Sequence, residues 1–544
     1  MNALISVIPI VLLFVLMLGF KVASHWSALS TLIVTILIGI FAAPMLGIVP
    51  EQFQGENIGA IVGWSVVEGT LKAVFPILLI ILTAIYSYNI LVKSKQIEVI
   101  KTQFTQLTDD RGILVLIMTW GFGGLLEGMA GFGTAVAIPA AILIGLGFKP
   151  MFSALVALLG NSVPTAFGAV GVPVTTLCNE ITPGGVADPA TIADVSAYTI
   201  LQLAPLFFLV PFVILMLTDR KAWGKNIVLA LWTGAFSLGV QFISAKYLGA
   251  ETPAILGSIA AILSLILYNA LFCRKKKAVV AMAGGAQVSV QAGSGETGKK
   301  KYTMAETFKA WSVYIFILVF ILLSGALCPP INSFLKSHLV STIPLTALHS
   351  TFKFGWISNA ALMLLLGSVI GGLIQGLTWR QLAQVMATTL VNLRFTTITI
   401  VSLIALASVM NYTGMIASIA IGLVTITGKA YPLFAPLIGA IGTFVTGSDT
   451  SSNILFAKLQ ANVAHQLGMT GTHSYLGVTG SETDWLAASN TTGATGGKMI
   501  SPQSIAIATA ACDMKGKDDA ILRKAIPYAL GYIVVAGLMV YFGI

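Results

Sequence analysis

Charge is scarce in this sequence. Of 544 residues, 30 are Lys or Arg and 20 are Asp or Glu, so only 9% are charged, against roughly 25% in a soluble protein. So few charges cannot cover a surface exposed to water. With 56% hydrophobic residues and a mean hydropathy of +0.92, most of the chain has lipid as its solvent. Cysteine is scarce too. Cys178, Cys273, Cys328 and Cys512 stand singly, none at metal-ligand spacing, and the sequence predicts no metal site and no cofactor. An HExxH motif and a compact nucleophile–base cluster are missing, which argues against an intramembrane enzyme. A basic n-region is missing ahead of the apolar stretch Ile5 to Phe20, so that stretch reads as a retained helix. A phosphate loop is approached at Gly293 to Lys299, but Lys300 stands where Ser or Thr is required and no strand precedes it.

What the chain does have is long apolar runs. Candidate spans fall near 4–22, 27–48, 72–92, 150–175, 196–217, 226–248, 253–272, 308–328, 356–377, 394–412, 484–512 and 524–543. Each approaches the ~20 residues needed to cross the hydrocarbon core. The net charge of +10 would raise the question of nucleic acid in a soluble protein. Here the basic residues lie in short runs between apolar stretches, the positive-inside pattern, and no nucleic-acid partner is expected. Lys93, Lys95, Lys101 and Arg111, then Arg220, Lys221 and Lys225, then Arg274 to Lys277 and Lys299 to Lys301, mark cytoplasmic loops. Asn179 to Ala197, acidic and free of Lys and Arg, is expected outside. This assignment puts both termini outside. The Gly-, Ser-, Ala- and Lys-rich stretch 274–307 reads as a flexible cytoplasmic linker.

Two regions break the pattern of simple spans. Gly112 to Gly147 is interrupted by Glu127-Gly-Met-Ala-Gly-Phe-Gly-Thr134, and Tyr431 to Gly468 by Thr446-Gly-Ser-Asp-Thr-Ser-Ser-Asn453. Each reads as a re-entrant hairpin, entering from opposite sides, and each precedes a long helix with a broken middle. Those helices carry Asn161, Gly168 and Pro173 in one half and Asn490, Gly497 and Pro502 in the other, at the same relative positions. The expected fold is therefore an all-α polytopic membrane transporter with about 12 spans, two re-entrant hairpins and broken helices in an inverted repeat. Residues 1–217 form the first repeat, with its hairpin at about 112–147. Residues 218–273 form a connecting helical hairpin, and 308–544 the second repeat, with its hairpin at about 431–468. Backbone groups freed by Gly and Pro survive in lipid only if buried in protein or facing a watery cavity, so hairpin tips and broken helices should meet near the bilayer midplane. Helix and hairpin ends there favour an anion.

The strings EGMAGFGTAVAIPAAILIGLGFKP from Glu127, NSVPTAFGAVGVP from Asn161, TGSDTSSNILFAKLQ from Thr446 and SNTTGATGGKMISPQSIAIA from Ser489 resemble the lactate permease family over nearly the whole length. The resemblance implies a proton symporter for L-lactate, often accepting D-lactate and glycolate, in a prokaryotic plasma membrane. Its partners would be a small hydroxy-monocarboxylate, a proton and the lipid bilayer, and a homo-oligomer is compatible with it. Another monocarboxylate, or sodium coupling, is the alternative. The stretch between Leu467 and Leu486 departs from relatives as an insertion and is expected to be an extracellular loop.

Glu127 and Asp449 are the candidate proton carriers. An ionised carboxylate at mid-membrane costs at least about 2.5–3.5 kcal/mol, so each needs a partner or a proton. The competing reading is structural, with Glu127 binding hairpin backbone and Asp449 capping a helix. Around them, Gly131, Gly133, Thr134, Ser448, Thr450, Ser451, Ser452 and Asn453 belong to the tips, and Asn161, Ser162, Thr165, Asn490, Thr491, Thr492, Ser501 and Gln503 to the broken helices. Each can bind substrate or satisfy freed backbone. Lys498 can neutralise a carboxylate, either the substrate's or that of Glu127 or Asp449. Arg394 reads as a topology anchor at the start of a span.

Overall fold

The computed structural model describes residues 2–105, 107–108, 110–129, 131, 133–182, 185–272, 302–324, 328–514 and 517–544. Most of the expected linker, its near-phosphate loop and Cys273 lie outside the described residues, as do Ala130 and Phe132 of the first hairpin tip. The fold is an all-α polytopic membrane protein. Among the described residues, nine helices are long and apolar enough to cross a membrane, or up to 11 if each of two bent pairs is one span. The count differs from a dozen for physical reasons. The N-terminal helix Asn2–Met17 and the helix Ala360–Ile374 are shorter than a full span. The expected span 484–512 is interrupted at Met499–Ser501. Conversely, Arg111–Met129 and Met415–Thr446, each running into a hairpin, qualify by length.

The helices that position the site are α1 (Ile58–Lys72), α2 (Arg111–Met129), α3 (Thr134–Gly145), α4 (Pro150–Gly160), α5 (Gly168–Ile181), α6 (Trp379–Tyr412), α7 (Tyr431–Thr446), α8 (Asp449–Gln466), α9 (Glu482–Lys498) and α10 (Pro502–Ala511). α2 and α3 are joined through Gly131 and Gly133, both at positive φ, a conformation glycine adopts without steric penalty. α7 and α8 are joined through Gly447, also left-handed. Between α4 and α5 runs a 3₁₀ turn, Val163–Phe167, and the two helices are bent by 46°. Arg394 lies well inside α6, which begins at Trp379, rather than at the start of a span.

One sequence expectation is corrected here. The stretch Asn490 to Gly497 does not unwind, because α9 is continuous to Lys498 and the interruption comes at Met499 to Ser501. Its glycines serve close approach instead. A Cβ on Gly493 would collide with the Pro436 backbone, and one on Gly497 with that of Ala440, while one on Gly439 of α7 would strike Asn490. Removing side chains at such points lets two helix backbones touch, as is common between membrane helices.

Two small antiparallel hairpins stand outside the helical body. β1 (Val340–Leu345) pairs with β2 (Ser350–Gly355), from Val340↔Gly355 to Leu345↔Ser350. β3 (Thr472–Tyr475) pairs with β4 (Val478–Ser481) within the stretch between Leu467 and Leu486. Both belong to one end of the molecule. There His349 Nε2 lies 2.8 Å from Glu56 Oε1, Lys246 donates to the Gly477 carbonyl at 2.6 Å, and the Tyr198 hydroxyl donates to the His473 carbonyl at 2.8 Å. The opposite end gathers the basic loops. Lys225 pairs with Asp110, Arg111 covers Phe148, and Ser94 donates to Gln375 at 2.6 Å.

The glycine contacts generate a direct test. Gly493→Ala inserts a methyl where backbone already sits and should destabilise by about 1–3 kcal/mol, whereas Gly531→Ala enters open space and should be near neutral. Thermal unfolding of the two purified variants in detergent decides it; a Gly493→Ala midpoint at or above wild type would refute the packing role.

Candidate functional site

Local sequence explains why helices end at one place inside the molecule. Ser448 begins α8 by accepting from the Ser451 N–H at 3.3 Å, and Ser501 begins α10 by accepting from the Ser504 N–H at 3.2 Å. Such caps satisfy one of the free N–H groups that every helix start carries. The start of α5 is more unusual. Ala169 (φ 44°), Val170 (φ 59°) and Gly171 (φ 75°) run left-handed in succession, and for a β-branched valine that conformation is an outlier. Strain of this kind persists only where the surroundings impose it, and it clusters at ligand sites.

The N-termini of α5, α8 and α10 face a cavity of about 510 Å³. From the hairpins come Glu127, Gly131, Thr446, Gly447, Ser448, Asp449, Thr450 and Ser451; from the bent segments come Thr165, Gly168, Ala169, Pro173, Lys498, Pro502 and Gln503. Its wall is completed by residues remote in sequence, among them His25 beside the N-terminal helix, Ile81, and Phe395, Thr399 and Ile400 of α6. Backbone donors at several helix starts make a site suited to an anion.

Both candidate carboxyls are buried here, Glu127 at 3% exposure and Asp449 at 2%. Glu127 Oε2 and Asp449 Oδ2 have no hydrogen-bond partner, nor does Asn161 Oδ1 beside them. A buried acceptor left so is costly, about 1–3 kcal/mol or more when charged, and calls for a proton or a ligand donor. Lys498 acts electrostatically on both carboxyls and donates to the Gly447 carbonyl at 2.9 Å. It therefore ties α9 to the second hairpin tip while facing the cavity.

The other polar residues singled out from sequence lie behind this wall. Thr134 donates to the Gly131 carbonyl, Ser162 to that of Leu159 and Ser452 to that of Gly439. Gly133 abuts Ile507, and Ser501 caps α10. Thr492 donates to Gln202 at 2.8 Å. Asn453 is a further joint between the early and late parts of the chain. Its Nδ2 lies 3.0 Å from the Pro173 carbonyl of α5, 3.3 Å from Asp449 Oδ1 and 2.5 Å from Thr491 Oγ1, while its Oδ1 accepts from Asn490 at 2.8 Å. Sequence reasoning missed His25, Phe395 and Thr399. Thr399 and Phe395 lie on an apolar helix and His25 near a short turn, with no local irregularity to mark them.

A family model described as L-lactate permease matches residues 2–543 of the chain. An L-lactate permease of Streptococcus iniae is 36% identical, covering 86% of this chain and 92% of its own. A glycolate permease of Escherichia coli (strain K12) is 33% identical over 99% of this chain and 95% of its own. An L-lactate permease of Bacillus subtilis (strain 168) is 29% identical with the same coverage, 99% and 95%.

Asn453→Leu should strand the Pro173 carbonyl and the Asn490 amide together, a loss of about 1–3 kcal/mol. The measurement is the thermal unfolding midpoint, with Thr388→Ala as control because that exposed hydroxyl bonds only within its own helix. Equal midpoints for the two variants would remove Asn453 as a joint.

Proposed function

Because this chain belongs to the L-lactate permease family, we propose that it carries L-lactate, and with it D-lactate and glycolate, across a prokaryotic plasma membrane in symport with a proton. It acts as a carrier and not as an enzyme. The basic loops gathered at one end favour that end as cytoplasmic, which puts both termini outside. The repeated order of hairpin followed by bent helix supports two inverted repeats, 1–217 and 308–544, joined by 218–273 and the linker 274–307.

The observation that carries the coupling is the pair of buried carboxyls, Glu127 and Asp449, each with an orphaned oxygen on one cavity. Among the described residues lining it, Lys498 is the one Lys or Arg. Two carboxylates and one ammonium leave the empty site with an excess negative charge. A substrate carboxylate adds another, and a proton on Glu127 or Asp449 cancels the addition. Substrate and proton therefore bind best together. Gly131, Thr165, Ser448, Thr450, Ser451 and Gln503 supply neutral donors to the carboxylate and the hydroxyl. The remaining candidates, Gly133, Thr134, Asn161, Ser162, Ser452, Asn453, Asn490, Thr491, Thr492 and Ser501, hold these in place.

A 1:1 cycle moves no net charge. A gradient of one pH unit then supplies about 1.4 kcal/mol, roughly tenfold accumulation. Purified protein in liposomes should concentrate labelled lactate when the outside is made acidic, without sodium. Flux that ignores the proton gradient would sink the symport reading, and dependence on sodium would replace it. Glu127→Gln should abolish pH-driven uptake yet spare some lactate exchange. Unchanged pH-driven uptake in Glu127→Gln would pass the coupling role to Asp449, tested in the same way with Asp449→Asn.

A further inference from the structure

A second cavity, of about 150 Å³, lies toward the end that bears the small strand hairpins. Lys72 of α1, Thr176, Asn179 and Glu180 of α5, and Phe352 to Gly355 of β2 line it. α5 connects the two cavities, since Ala169 and Pro173 face the larger one and Thr176 and Glu180 the smaller. Along α6, Thr399 and Ile400 line the larger cavity; Ser408 lies eight residues further, roughly 12 Å at the helical rise. Along α8, Asp449 to Ser451 line it, and Lys458 comes later in the same direction.

Between the cavities stand four charges. Glu68 and Lys72 of α1 pair at 3.1 Å, and Glu180 of α5 pairs with Lys458 of α8 at 3.2 Å. Their side chains are 2%, 9%, 3% and 12% exposed in that order. Burying charge is so expensive that an apolar plug would close this partition more stably. The arrangement has a particular logic. Glu68 also accepts from the Tyr412 hydroxyl at 2.9 Å and the Ser408 hydroxyl at 3.0 Å, both on α6. α1 and α6 form one body, their backbones brought together at Gly69, whose missing side chain would strike Ala405. α5 and α8 form the other, joined by the Asn453 bond to Pro173. Each body therefore carries one complete ion pair. Across the seam, Glu180 acts on Lys72 more strongly than Glu68 does, and Lys458 acts on Glu68, so the closed seam strengthens both pairs while each face by itself still carries one cation and one anion.

We propose that the Glu68–Lys72–Glu180–Lys458 cluster is the gate between the two cavities, a parting surface whose two faces are each neutral. When α5 and α8 move away from α1 and α6, no buried charge is left without its partner. Opening the smaller cavity to the substrate site becomes feasible without a protonation step at the gate. The attraction across the seam holds it shut in the state described here.

The inference rests on the transport reading, and two double variants of equal net charge separate it from a static ion cluster. Glu180→Gln with Lys458→Met removes the whole pair from one face. Lys72→Met with Glu180→Gln removes one charge from each face, leaving Glu68 and Lys458 neutral together only while the seam is closed. Lactate uptake in liposomes and lactate binding to the purified protein are measured for both. We expect the first variant to transport within about threefold of wild type, and the second to lose at least about tenfold in uptake while keeping its binding. Equal transport by the two doubles, failure of the first to fold or transport, or loss of binding along with uptake in the second overturns the gate. Wild-type protein that moves no lactate overturns the transport reading itself, whereas active wild type with the wrong variant pattern overturns the gate alone.

Discussion

A helix interrupted inside a membrane strands backbone N–H and C=O groups where no lipid can receive them, and this protein is organised around satisfying such groups. Four of its interruptions, at Gly131 to Gly133, Asn161 to Phe167, Gly447 to Ser448 and Met499 to Ser501, converge on one place. They are brought together so that each helps to shelter the others. Ser448 and Ser501 absorb some of the freed donors as caps, Thr134 and Ser162 absorb freed carbonyls, and Asn453 spans from one half of the chain to the other. What these bonds leave over faces the cavity. The same shortage of partners that makes a broken helix expensive in lipid makes it a binding site once the breaks converge.

That logic made much of the site legible in the sequence. Glu127, Asp449, Lys498, Gln503 and the hydroxyls of Ser448, Thr450 and Ser451 are local anomalies, polar or glycine-rich interruptions in apolar runs, and the structure places them on one cavity. Two things were not legible. Glycine has two uses, freeing φ and admitting a neighbouring backbone, and composition does not separate them. Gly131 and Gly447 do the first, whereas Gly493 and Gly497 do the second, so the break in the second half lies nearer Pro502 than the glycines suggested. The other hidden part is the wall made by His25, Phe395 and Thr399. His25 stands far ahead of the first tip in sequence, and Phe395 and Thr399 well ahead of the second, in segments with no irregularity, and only folding makes them neighbours.

Charge follows a common rule throughout the buried interior. Glu127 and Asp449 share Lys498 and retain orphaned oxygens, so their site is left one charge short and responds to what binds. Glu68, Lys72, Glu180 and Lys458 are matched two by two in charge, although Glu180 Oε2 accepts no hydrogen bond beyond its ion pair. A polar group in a low-dielectric interior is costly when unpaired and inert when paired. The contrast separates a place that must react to ligand and proton from a place that needs only to come apart and close again.

The glycine contacts of α9 with α7 reach beyond packing into how this chain can change length. Gly439, Gly493 and Gly497 key the two backbones at fixed positions. One residue added inside either helix would turn everything after it by about 100° and drive side chains into the places those glycines leave open. A residue added or lost is accommodated only in the chain between the helices. The stretch that folds as β3 and β4, between α8 and α9, lies where a change of length disturbs none of these contacts. That segment can lengthen or shorten while the length of α7 and α9 stays fixed.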